Sequence, residues 1–309
     1  IANQAAVVGE GGIKPLVTLL MMDYEEGKAA AAGALWSLAR GGPANQAAVA
    51  EAGAVEPLVQ LLSAQGAKEQ LKAAGAIAGL VAGNTANQEA VMAANGIPPL
   101  VVLLAPRVHH PEVQALAADA LAELCHNHKG NQTAVCEANA VVPLIALLNQ
   151  PPNSDLKVSS QVKEMAAGAI WRLVDEHFEN QTAVALADGL QPLVDLLGVG
   201  SDLAQIQAAG ALASLALNHE DNEHAASSMV MTLLDSSALM GSTHGSAERT
   251  ARAISRLADA HKSLQDALAR AGGIEKLVKI IFSTKGKERR RSQENDEPFR
   301  DDDELKEKE

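Results

Sequence analysis

Cysteine and histidine gather at one place in this chain. LCHNHKGNQTAVC holds Cys125, His126, His128 and Cys136, with His109 and His110 upstream. Thiolate and imidazole are common zinc ligands, so a metal centre is the first chemistry to test. The spacing fits no recognised zinc motif. The chain also holds no Gly-x-x-x-x-Gly-Lys-Ser/Thr loop, no Gly-x-Ser-x-Gly elbow and no His-Glu-x-x-His helix. Hydroxyls and the other histidines are scattered without a converging set. The expectation is therefore no metal, no cofactor and no catalysis.

The composition narrows the remaining classes. A formal charge of −13 argues against a general nucleic-acid binder, and the body stays acidic when the charged C-terminal stretch is set aside. Hydrophobic residues make up 47% of 309 residues while Phe, Trp and Tyr make up 2%, so Ala, Leu and Val must fill the core. Ala and Leu favour helices. Two cysteines point to a reducing compartment, with a cytoplasmic or nuclear location expected. No apolar run approaches the roughly 20 residues that span a bilayer. A start on Ile1 rather than Met fits a fragment or processed product, which leaves room for a lost targeting segment.

The elements that would position any site are repeated. An Asn-Gln pair recurs at Asn3, Asn45, Asn87, Asn131 and Asn180, with a degraded copy at Asn222, at spacings of 42, 42, 44, 49 and 42. A Pro-Leu pair at Pro15, Pro57, Pro99, Pro143 and Pro192 keeps the first four spacings. Each unit reads as three helices. Asn45 is expected to cap the first, Gly53 to end it in a left-handed conformation, and Pro57 to open the second, where a missing N–H costs nothing. The third, KEQLKAAGAIAGLVAG, shows one apolar face. The period also accounts for the cysteines, since Cys125 matches Ala39, and Cys136 matches Ala50 and Met92. Such units must stack to cover one another.

The pattern Asn-Gln-x-x-Val-x-x-x-Gly-x-x-x-Pro-Leu-Val-x-Leu-Leu resembles the armadillo repeat. The resemblance implies an all-α, right-handed alpha-alpha superhelix over residues 1–284, of about six three-helix repeats and a C-terminal half-repeat. A charged tail over 285–309, disordered or partly helical, would follow. Between Asn222 and His261 the Gly and Pro are missing, so the first two helices there are expected to be shortened or distorted. The first unit's uncovered surface suggests further repeats or a partner chain against it.

The same resemblance implies a non-catalytic scaffold or adaptor that binds a protein or peptide segment in the concave groove of the third helices. Importin-α-like members carry a Trp, and an Asn four residues later, on each third helix. Here the Trp position holds Gly33, Gly75, Asp119, Gly168, Gly210 and Arg252, and the Asn position holds Ser37, Gly79, Glu123, Arg172, Ser214 and Arg256. No pair survives, which makes such a transport receptor the weaker alternative. A structural subunit of a large ciliary or organellar assembly is the other.

These residues, with Arg249 beside Arg252 and Arg256 on one helix face, are the candidate groove. The three arginines suit an acidic peptide or a carboxylate; a solvated face is the plainer reading. The glycines offer either bare backbone to a partner or tight packing between repeats, and packing is preferred. Trp36 and Trp171 are candidate aromatic anchors or core residues. Glu123 and Arg172 are placed to pair across neighbouring helices. The long loops Ala105–Pro111 and Asn149–Ser160 serve binding or are tolerated variation. In the tail, the basic run Lys285–Arg291 reads as a localisation or anionic-surface patch or as a solvated helix end. The acidic run Asp296–Glu304 could lie back on the arginine stripe.

Overall fold

A computed structural model describes residues 2–106, 108–151 and 155–239, with isolated residues between 255 and 275. The described residues form sixteen α-helices and no strand. They group into units: α1 (Ala2–Gly9), α2 (Ile13–Met21) and α3 (Glu25–Ala39); α4 (Pro43–Glu51), α5 (Val55–Leu61) and α6 (Ala67–Val81); α7 (Thr85–Ala93), α8 (Ile97–Leu103) and α9 (Pro111–Cys125). The fourth and fifth units are α10 (Lys129–Glu137), α11 (Val141–Leu148) and α12 (Leu156–Val174), then α13 (Phe178–Leu186), α14 (Leu190–Val199) and α15 (Asp202–Ala216). A single helix, α16 (Glu220–Leu239), opens the sixth. Each third helix packs on the next, in the order α3, α6, α9, α12, α15, so the chain advances along an axis as a solenoid.

Local chemistry sets each bend. Gly53 stands at φ 80° between the first and second helices, and Asn95, Asn139 and Asp188 take the left-handed conformation at the equivalent positions. Val230 and Leu234 stand where this residue and the proline should be in the sixth unit. A β-branched residue resists positive φ, and without a proline nothing interrupts the backbone ladder. The first two helices there are not shortened; they depart from the pattern by running on as the 20 residues of α16.

The Asn-Gln pair does something other than expected. Helix α4 begins at Pro43 after Gly42, and Asn45 lies inside its first turn. Its Nδ2 donates to Leu38 O at 3.0 Å, at the end of the preceding third helix. Asn87, Asn131, Asn180 and Asn222 do the same to Leu80, Leu124, Leu173 and Leu215, at 2.8 to 3.0 Å. The glutamines reach the other way. Gln46, Gln88 and Gln132 donate to two carbonyls each at the end of their own unit's third helix. The last carbonyls of a helix have no partner within it. Helices α4, α7, α10 and α13 therefore each tie the ends of two successive third helices together. Side-chain capping falls instead to Asn84 and His128, which accept from the N–H of Asn87 and Asn131.

Leu58, Leu62, Ile77, Leu100, Leu104, Leu121 and Leu144 fill the core with almost no exposure. Between third helices the contacts are small. Ala31–Ala32, Ala73–Ala74, Ala117–Ala118, Ala166–Ala167 and Ala208–Ala209 are all buried, so the helices approach closely without aromatic filler.

Candidate functional site

The row of third helices carries the candidate positions on one face. Ser37 is exposed, Gly33, Gly79, Asp119, Glu123 and Arg172 are half-buried, and Gly75, Gly168, Gly210 and Ser214 are buried. Arg249, Arg252 and Arg256 lie outside the described residues, as does the 285–309 tail.

What buries the glycines is each other's neighbours. Trp36 of α3 lies across α6, where a Cβ added to Gly75 would stand 2.7 Å from two atoms of its ring. Trp171 of α12 lies across Gly210 in the same way, at 2.5 Å. The partner side chain crosses in the opposite direction. The Lys72 stem covers Gly33 and the Gln207 amide covers Gly168, at 3.4 and 3.3 Å. Of the two readings of Gly75 and Gly210, the geometry is that of packing between repeats, because each seats an indole rather than offering bare backbone to a partner. Both tryptophans remain partly buried, each packed on the core with one side against glycine and only part of the side chain reaching the surface. They are neither full core residues nor free.

Charges gather on these rings. Lys72 Nζ is 5.4 Å from the centroid of Trp36, and Arg172 Cζ is 4.7 Å from that of Trp171. An indole face attracts a cation electrostatically. Arg172 therefore stacks on its neighbour and forms no ion pair with Glu123, contrary to expectation. Between the two tryptophan seats the equivalent positions hold Ala78 and Ala122, and there Asp119 and Glu123 stand one turn apart on α9. Burial, and then Glu123, push the Asp119 carboxyl up to about 6, while Arg40 pulls it back. The Arg40 stem runs alongside Gly79, its Cγ 3.7 Å from where a Cβ would be.

Other sequence candidates separate. Cys125 is buried, and burial followed by Cys136 raises its thiol well above the usual range. His128 is committed to its capping bond. Among the described residues no three histidine, cysteine, aspartate or glutamate side chains converge as metal ligands would. Ser214 donates its hydroxyl to Asp175 at 3.1 Å. Lys72, Arg40 and Gln207 were missed as neighbours of the candidate face. A comparison of units could have found them, since Trp in one third helix goes with Gly at the Trp position of the next.

The sequence pattern of the Armadillo/beta-catenin-like repeat matches residues 2–40 and 84–126, the first and third units. This chain carries armadillo repeats. Among curated proteins, none matches it. Armadillo folds among solved structures match over most of its length. A designed armadillo repeat protein has 25% identity and a TM-score of 0.67, covering 86% of this chain and 99% of the other. An engineered protein has 27% identity and a TM-score of 0.67 over 83% and 97%. Another designed armadillo repeat protein, solved with the peptide (KR)4, shares the fold at 24% identity and a TM-score of 0.64 over 79% and 99%.

Proposed function

We propose that the chain is a non-catalytic scaffold or adaptor that holds a segment of another protein along the exposed face of its third helices. The observation that carries this is the pair of tryptophan seats. Trp36 and Trp171 are each braced from beneath by a glycine and flanked by a cation, three units apart on one continuous face. Tryptophan and arginine are enriched among the residues that carry binding energy at protein interfaces, and Trp36, Trp171 and Arg172 each keep part of their surface accessible. Designed armadillo neighbours, one of them solved with a bound peptide, support a peptide as the occupant's class. A transport receptor of the importin type is the weaker reading, because no Trp/Asn pair is present. Among the described residues no single helix is long and apolar enough to cross a membrane. The proposal includes a reducing location, cytoplasmic or nuclear, in keeping with two unpaired cysteines.

A second reading has its own observation. The edge where second helices turn into third ones exposes Met21, Met22, Tyr24, Val108, Leu156 and Val199. A cavity of about 240 Å³ lined by Leu20, Lys28, Pro57, Leu61 and Glu69 opens on the same edge. Burial of that edge would suit a subunit of a larger assembly. Photo-crosslinkers at Ser37 and, separately, at Met22 decide between them in native extract. The scaffold reading expects a discrete adduct from Ser37 that disappears in a Trp36→Ala, Trp171→Ala variant. Adducts from Met22 alone would transfer the function to the edge.

A further inference from the structure

The charges on the third-helix face follow an order, and that order describes an occupant. Lys72 on α6 comes first, Asp119 and Glu123 on α9 second, and Arg172 on α12 third. All four side chains are half-buried, and among the described residues none of them enters an ion pair. The two cations are positioned by the indoles they lie over. The carboxylates rise between Ala78 and Ala122, where no tryptophan covers them. Arg40 is close enough to act on Asp119 without closing a bridge.

Spacing converts the order into a sequence pattern. Packed helices lie roughly 8–10 Å apart. Lys72 and Arg172 also differ in height by about seven helical residues, a rise of about 10 Å. The diagonal from one to the other is thus roughly 20 Å over two units. An extended chain advances about 3.3 Å per residue, so about six residues cover it.

Resting on the scaffold reading above, we propose that the bound segment is an extended peptide bearing an acidic, a basic and an acidic side chain in that order, about three residues apart. The basic side chain sits between Asp119 and Glu123, and the acidic ones reach Lys72 and Arg172. Apolar side chains beside the two acidic ones rest on Trp36 and Trp171. A uniformly basic peptide meets Lys72 and Arg172 as like charges, and a uniformly acidic one meets the α9 carboxylates. Such juxtapositions select against wrong partners.

The test is a phage library of randomised nine-residue segments, followed by synthetic peptides of the forms E-x-x-K-x-x-E and K-x-x-E-x-x-K measured by fluorescence anisotropy. The first form should be enriched and should bind at least tenfold tighter than the second. Lys72→Glu should move the preference at the first position to lysine. Asp119→Lys with Glu123→Lys should move the central preference to glutamate, each variant being checked for native helicity by circular dichroism. Enriched peptides that lose binding in Trp36→Ala, Trp171→Ala but show another charge order would overturn this inference and leave the scaffold reading intact. If the library yields no peptide sensitive to those two tryptophans, both are wrong.

Discussion

Asp119 is a carboxyl group that the fold makes costly to ionise. Its pKa rises from 3.8 to about 6, mainly through burial and secondly through Glu123, against the opposing pull of Arg40. The folded state therefore holds the proton more tightly than the unfolded chain does. Stability falls as the pH rises from about 4 to about 6, and that loss persists at neutral pH. Asp119→Asn should stabilise the protein at pH 7 by up to about 3 kcal/mol, the equivalent of a two-unit shift. The gain should shrink as the pH approaches 4, as urea unfolding across that range would show. Binding of a peptide with a central lysine should weaken in parallel below about pH 6. Gly75 offers a second test. Alanine gains about 1 kcal/mol over glycine inside a helix, but its Cβ would meet the Trp36 ring at 2.7 Å. Gly75→Ala should destabilise by about 1 kcal/mol and shift Trp36 emission toward the red, overpacking outweighing propensity. In a Trp36→Ala background the same change should stabilise. Equal effects in both backgrounds would mean that the indole does not occupy the glycine.

At the scale of elements, the Asn-Gln pair explains why one phrase recurs along the chain. It is not a cap on its own helix but a tie between the ends of two others, and it is buried from Asn87 to Asn180. Replacing a buried amide by leucine leaves carbonyls dry and unpaired, at about 1–3 kcal/mol. Asn131→Leu, at 0% exposure, should cost about 2 kcal/mol in denaturant unfolding, and Asn45→Leu, only half-buried, clearly less. Equal losses would count against burial as the cause. Histidines show the same logic on a smaller scale. His128, His177 and His219 all precede first helices, and the last two lie 3.0 and 3.3 Å from Thr133 and Thr182 of the preceding unit. A residue that looked like a metal ligand at His128 is a helix cap and has counterparts along the solenoid.

For the whole molecule, stability is close to a sum over units and their interfaces, since each third helix packs mainly against its immediate neighbours. Leu121 is 1% exposed in the middle of the described units. Leu121→Ala should cost about 2–5 kcal/mol locally. Hydrogen exchange should then quicken through α6, α9 and α12 well before α1 to α3 respond. Uniform loss of protection would require a more global cooperativity than this architecture provides. On the proposed peptide-binding face, the same linear build predicts that charge changes in the second unit leave recognition by the fourth intact.

Periodicity alone determined the architecture. A 42-residue rhythm of Asn-Gln, Gly and Pro-Leu forces three helices per unit, and alanine-rich third helices can bury their faces only by stacking. The missing Gly and Pro near Val230 marked the irregular unit, although not its form, because one continuous helix and two damaged ones lack the same signals. The positions on the candidate face could likewise be named by register. Their state could not. Whether Gly75 is open backbone or the bed of Trp36 depends on a side chain 39 positions away, and whether Arg172 joins Glu123 or Trp171 is a competition between two neighbours. A repeat writes its own helices in local sequence, whereas the surface between repeats is decided by which side chains meet once the helices have packed.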